Sequence, residues 1–325
     1  MRSMVRLLKV AYGAFDPLAK DVAFAPLVTL LALCAITASA HAESSNYEKK
    51  VAADPQGVVE ISNVEGKVEV SGWDSPEVEV RAEVGGGVDR IDTTRDGARV
   101  SIKVILPAHT FRSASAALHI RVPRQSELDI SSVSAEVTVS EVEGGLQLKT
   151  VSGGVKADVF QKNTEIKTVS GDVVLRGRGQ WHGPGTGIHV STISGNIRID
   201  RAGGDLEVTT VSGDMAVKLD PSRNVRVRST SGELTFEGKL LKGGYFDAES
   251  VSGDLTVRAV PDGALDYEVS TFSGDIKNCM GGEAERVSRY GPGHRLNGTR
   301  GASGADGARI RLKTMSGNVE LCDKT

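Results

Sequence analysis

Four aspartates, Asp172, Asp214, Asp254 and Asp275, stand at one place in a recurring Ser-Gly-Asp phrase. A column of carboxylates is one way to hold calcium, which takes about six to eight oxygen ligands. One carboxylate per repeat is too few, and the Gly-Gly-x-Gly-x-Asp phrase of calcium-binding β-rolls is absent. The residue types point instead to corners at which Asp or Asn bonds neighbouring amides. No metal site and no cofactor are expected.

Other chemistry is equally thin. Glycosidic cleavage needs two carboxyls held about 5 to 9.5 Å apart, and no acidic pair here stands with an adjacent base and an aromatic sugar platform. The nucleophile phrase Gly-x-Ser-x-Gly between strand and helix is missing. The histidines lack metal spacing: His182 and His189 flank a Gly/Pro loop, and His294 is distant. The chain is therefore not expected to be an enzyme, and a polysaccharide-active β-helix ranks third among its readings. Two loops hold the candidate binding residues. Trp181 and His182 lie in Gly177–Gly185, where an exposed Trp serves either as an anchor for a partner or as a lid on the fold. Tyr290 and His294 lie in Gly281–Gly307, made locally basic by Arg286, Arg289, Arg295 and Arg300. Anionic glycans are one partner that such a loop attracts.

The elements that position these residues come from one phrase, used nine times. Its anchor serines are Ser134, Ser152, Ser170, Ser194, Ser212, Ser231, Ser252, Ser273 and Ser316, spaced 18, 18, 24, 18, 19, 21, 21 and 43 residues apart. A period near 20 with strand-like flanks marks stacked coils. In Leu146–Val159, apolar residues alternate on both sides of Ser152-Gly153, so each repeat reads as two strands joined at a glycine corner. The expected fold is all-β, a parallel β-solenoid of about nine rungs. An antiparallel meander or sandwich, with Ser-Gly as a hairpin loop, fits the same alternation. Identical corners favour stacking, as do the cysteines. Cys279 and Cys322 each lie six residues after an anchor serine. Equivalent positions on adjacent parallel rungs are about 4.8 Å apart, within the disulfide range.

Residues 57 to 125 alternate without the phrase and read as a strand-rich N-terminal cap; residues 126 to 325 hold the repeats, with loop insertions near 177–187 and 280–308. Residues 43 to 56 read as a flexible lead-in. Residues 1 to 42 read as a signal peptide: four basic residues, an apolar run from Leu27 to Ala40, and small-x-small cleavage sites at Ala40 and Ala42. The run is shorter than the roughly 20 residues of a membrane span. Cleavage leaves 35 Lys+Arg against 40 Asp+Glu, a net charge of −5, which gives no electrostatic reason to expect nucleic acid. No transmembrane segment is expected after cleavage. Cleavage also removes Cys34, and export favours oxidation of the remaining two thiols.

The recurrent Thr-Val-Ser-Gly-Asp-Val phrases resemble the bacterial putative-adhesin family with β-strand repeats, domain of unknown function 4097. The opening Val64-Glu65-Gly66-Lys67-Val68-Glu69-Val70-Ser71-Gly72-Trp73-Asp74 is similar to that family's first strand and turn. The resemblance covers roughly residues 57 to 325. It implies a strand-repeat fold at the periplasm or cell surface and brings no catalytic residues. Departures at Ala135, Gly154 and Glu233 argue against chemistry that needs every corner intact. The expected function is a non-catalytic envelope or surface protein, an adhesin or binding scaffold for an envelope protein or glycan. The alternative is a periplasmic structural or regulatory component that binds a protein partner.

Overall fold

A computed structural model describes residues 45–107, 114–179, 186–288, 292–301 and 307–323. The expected signal segment, Trp181, His182 and Tyr290 lie outside these residues. Every regular element among the described residues is a β-strand, 23 in all, and no helix there is long and apolar enough to cross a membrane.

Parallel ladders decide between the two architectures. Thr150 pairs with Thr168, Thr168 with Thr192 and Thr192 with Thr210, all parallel and in register. The chain is a solenoid. Each rung has a first strand, such as Leu146–Ser152, and a second, such as Val155–Val159. In the Ser152 rung, Leu146, Leu148, Thr150, Val155, Ala157 and Val159 point inward and Gln147, Lys149, Val151, Lys156 and Asp158 outward. The two strand stacks thereby enclose one aliphatic core, which Phe236 and Phe246 join with ring centroids 4.4 Å apart. Period-2 alternation on both sides of a kink is what produces this two-layer rung.

The corner demands glycine twice over. Gly195 has φ +139, and a Cβ there would meet the Gly171 carbonyl oxygen at 2.3 Å. The backbone conformation disfavours any L side chain, and the rung below occupies the space.

Both ends of the solenoid are interleaved. Strand Val58–Trp73 forms a rung of its own, pairing in parallel with the Ser134 rung on one side. On its other side lie Arg99–Ile105 and Ala116–Pro123, which are later in sequence but further out in space. Residues 57–125 thus contribute two stacked rungs as well as the antiparallel strands outside them. Arg90–Asp96 covers Arg99–Ile105, Glu77–Val84 covers Ala116–Pro123, and Ser45–Ala52 covers Glu77–Val84. The C-terminal end repeats the device. The Ser316 rung, Ala308–Ser316 with Val319–Cys322, enters between the Ser252 and Ser273 rungs.

Sequential stacking is therefore corrected for the last two rungs. So are the readings of residues 280–308 as a loop and of residues 43–56 as a flexible lead-in, since Ser45–Ala52 is a paired strand. His294–Arg300 is a strand, antiparallel on Leu265–Ser273, the outermost first strand. It buries Leu296, and its Gly298 packs on Tyr267. Antiparallel covering strands of this kind end the parallel stack.

Candidate functional site

The corner aspartates bond from rung to rung. Asp172 Oδ1 accepts from the Asn196 amide at 2.8 Å, Asn196 Oδ1 from the Asp214 amide at 3.0 Å, and Asp214 Oδ1 from the Glu233 amide at 3.0 Å. Beyond Glu233 the series resumes: Asp254 Oδ1 accepts from Asn318 and Asn318 Oδ1 from Asp275. These carboxylates act as corner clamps, the role expected of them. Two residues before each anchor serine stands a buried column of Thr and Ser, and several of its hydroxyls bond the corner backbone. Thr150, Thr192 and Thr210 Oγ1 donate to the carbonyls of Ser152, Ser194 and Ser212. The anchor serines themselves are exposed along the edge.

Between those two columns lies a feature that alternation and composition together could have disclosed. The residue between the Thr and the anchor Ser points outward, yet it is apolar in eight of the nine phrases. Val133, Val151, Val169, Ile193, Val211, Val251, Phe272 and Met315 are 44 to 60% exposed. Thr230 is the one polar member, and half-buried Val64 extends the column onto the first rung through the pairing of its neighbours with Ser132 and Ser134. In space the order runs from Val64 through Val133 to Val251, then Met315, then Phe272. Ten levels about 4.8 Å apart make a straight stripe about 43 Å long. Scattered exposed apolar residues mean little, but apolar residues gathered in one column are unusual on a soluble surface.

At its C-terminal end the stripe becomes the floor of an open groove of about 740 Å³. Val287 and Pro292 rise beside Phe272 and Met315, held by the bond from the Val287 amide to the Gly293 carbonyl at 2.9 Å. Of the loop candidates that are described, His294 lies here, its Nδ1 2.9 Å from the Gly274 carbonyl. Lys313 and Arg295 line the groove and make no ion pair with any described residue, whereas Arg228 faces Glu249 at 3.7 Å.

A longer, polar groove of about 1150 Å³ follows the opposite end of the first strands. Its side chains answer one another across rungs: His189 Nδ1 lies 3.2 Å from Glu207, and Gln147 donates to Glu165 at 3.2 Å. A hydrogen bond from Lys167 holds the Glu165 carboxyl below the usual carboxylate range. Among the described residues, Cys279, Glu320 and Cys322 alone gather as a metal-capable trio, and the two thiols are joined as a disulfide with Cα atoms 4.8 Å apart.

The sequence profile of the Toastrack family, DUF4097, matches residues 57–204 and 203–322. The chain belongs to this family. No curated protein matches it. Among solved structures, it is similar to a putative adhesin from Parabacteroides distasonis, at 11% identity and TM-score 0.42, over 86% of this chain and 98% of that one. A putative adhesin from Bacteroides fragilis shares 10% identity, with TM-score 0.34 over 86% and 98% of the two chains. A putative cell adhesion protein from Clostridium sporogenes shares 11% identity, with TM-score 0.26 over 86% and 99%. Within this Toastrack chain, the interleaved ends and the corner clamps build the rod, and the apolar stripe is what the rod displays.

Proposed function

We propose that this Toastrack protein is an exported, non-catalytic binding protein of the cell envelope whose binding face is the corner stripe from Val64 to Phe272. The observation that carries the reading is the stripe: nine of ten stacked positions apolar on an edge that the fold leaves uncovered. The polar groove carries less weight, because several of its side chains pair with one another between rungs. At the outer surface such a face serves an adhesin; inside the envelope it docks a protein or ligand onto a rigid rod.

Cysteine footprinting tests both parts. Val169→Cys places a thiol in the stripe, and Arg198→Cys places one on the exposed face of a second strand. In the purified protein both label at similar rates with a small maleimide. In cells the stripe thiol is expected to label several-fold more slowly than the control. Equal relative rates in cells and in solution would remove the stripe from the function. A bulky maleimide that cannot cross the outer layer, applied to intact cells, separates surface from interior.

A further inference from the structure

The groove at the C-terminal end of the stripe has a chemistry of its own. Its floor is Val211, Thr230, Val251, Met315 and Phe272, apolar at four of five levels, and its wall Val287 and Pro292. From Val211 to Phe272 is four rung steps, about 19 Å. A single acyl chain fills about half of a 30 Å bilayer core, so the floor matches one extended chain. The volume of about 740 Å³ lies within the range of small-ligand sites.

Three observations choose among occupants. First, each floor strand is hydrogen-bonded on both sides, Ser212 to Ser194 and Ser231, Ser252 to Ser231 and Ser316, Ser273 to Ser316. The outermost first strand is covered in turn by His294–Arg300. A peptide strand laid along this floor would find no backbone partner, and buried unpaired amides are costly. Hydrocarbon needs none. Second, the lining cations that make no ion pair with a described residue are at one end only: Lys313 on the inserted rung and Arg295 on the covering strand. Third, Glu249, the acidic residue of the lining, faces Arg228 at 3.7 Å and also stands in register beside Lys313, with which it makes no ion pair. One end of the groove thus favours an anionic head, and the floor leading away from it favours an apolar tail.

Resting on the reading of the stripe as a binding face, we infer that this groove takes one long-chain fatty acid. Its carboxylate lies at Lys313 and Arg295, and its chain runs over Phe272, Met315 and Val251 toward Val211.

Calorimetric titration of the oxidised protein with palmitate, below the concentration at which palmitate aggregates, tests this. The expected result is saturable binding of one palmitate per chain. Phe272→Asp and Lys313→Glu, both at exposed positions, should each weaken it about tenfold or more, whereas Arg198→Glu, on the exposed face of a second strand, should not. Hexadecanol, which lacks the charge, should bind more weakly than palmitate. The inference is overturned if palmitate does not saturate, or if binding ignores both groove substitutions. It is overturned equally if only phosphatidylglycerol vesicles bind, or if the protein is a dimer that Phe272→Asp splits. Silence toward palmitate with Val169→Cys still protected in cells removes the fatty acid and leaves the binding face standing. Silence in both experiments removes both.

Discussion

The Asn318 amide donates to Asp254 Oδ1 at 2.7 Å across 64 residues of chain. That bond places the last rung beside the Ser252 rung, inside the Ser273 rung that precedes it in sequence. The chain builds its terminal rung first and then returns to fill the gap behind it. Releasing the inserted rung therefore requires the outer one to move as well, and the Cys279–Cys322 disulfide fastens the two together.

Breaking that fastening should destabilise the C-terminal end first. In the chain-entropy account, a closure of about 43 residues contributes roughly 4 kcal/mol. The double substitution Cys279→Ser with Cys322→Ser is expected to lower unfolding free energy by up to that amount. Hydrogen exchange should rise in 265–322 before it rises near Ser152. Uniform acceleration along the rod would contradict the interleaved closure.

Gly195→Ala should cost about 3 kcal/mol or more, because the new Cβ meets the Gly171 carbonyl and the backbone stays at φ +139. Gly97→Ala, at φ +58 with open space around it, should cost only about 1 kcal/mol. Chemical denaturation of the two variants makes the comparison. Equal losses would mean that rung contact contributes nothing to the corner.

The corner clamps are exposed and neutral-donor bonds, so each is modest. Asp172→Ala, which deprives the Asn196 amide of its acceptor, should cost about 1 kcal/mol. Asp172→Asn should restore most of it, since Asn196 and Asn318 already serve in the same role. A thermal melt in which Asn does no better than Ala would show that the clamp is not a hydrogen bond.

Acid should loosen the N-terminal cap through Glu79. Burial pushes this carboxyl up, but hydrogen bonds from Arg121 and Lys50 outweigh burial and hold it below its ordinary value of 4.5. Arg121 also lies over the Trp73 ring, 4.4 Å from its centroid. With a folded-state value below the unfolded one, the stabilisation is complete above about pH 4.5 and disappears as pH falls through the folded value. Melting of the wild type and of Glu79→Gln should therefore differ at pH 7 and converge on acidification. A difference that grows toward low pH would reverse the assigned sign.

Much of this was legible in the residues themselves. The alternation in Leu146–Val159, the repeated corner and the matched offsets of Cys279 and Cys322 lead to stacked rungs and a bond between neighbours. The order of the final rungs was not, for a physical reason. Near-identical corners fit one another in any order, so register cannot say which copy stacks on which. Strand His294–Arg300 leaves no trace in the pattern because Leu296 is its only buried apolar side chain, too little to make an alternation. The stripe is written in the sequence only as a column, since each outward Val is unremarkable alone.

A photo-crosslinking scan in living cells tests the binding face most directly. Benzoylphenylalanine replaces Val133, Val169, Val211 and Val251 in turn, with Arg198 and Lys277 on second strands as controls. All six positions are exposed, so the fold should tolerate each. Adducts from the four stripe positions and none from the controls are the predicted result. Adducts from the controls alone, or equally from all six, would contradict a function carried by the stripe.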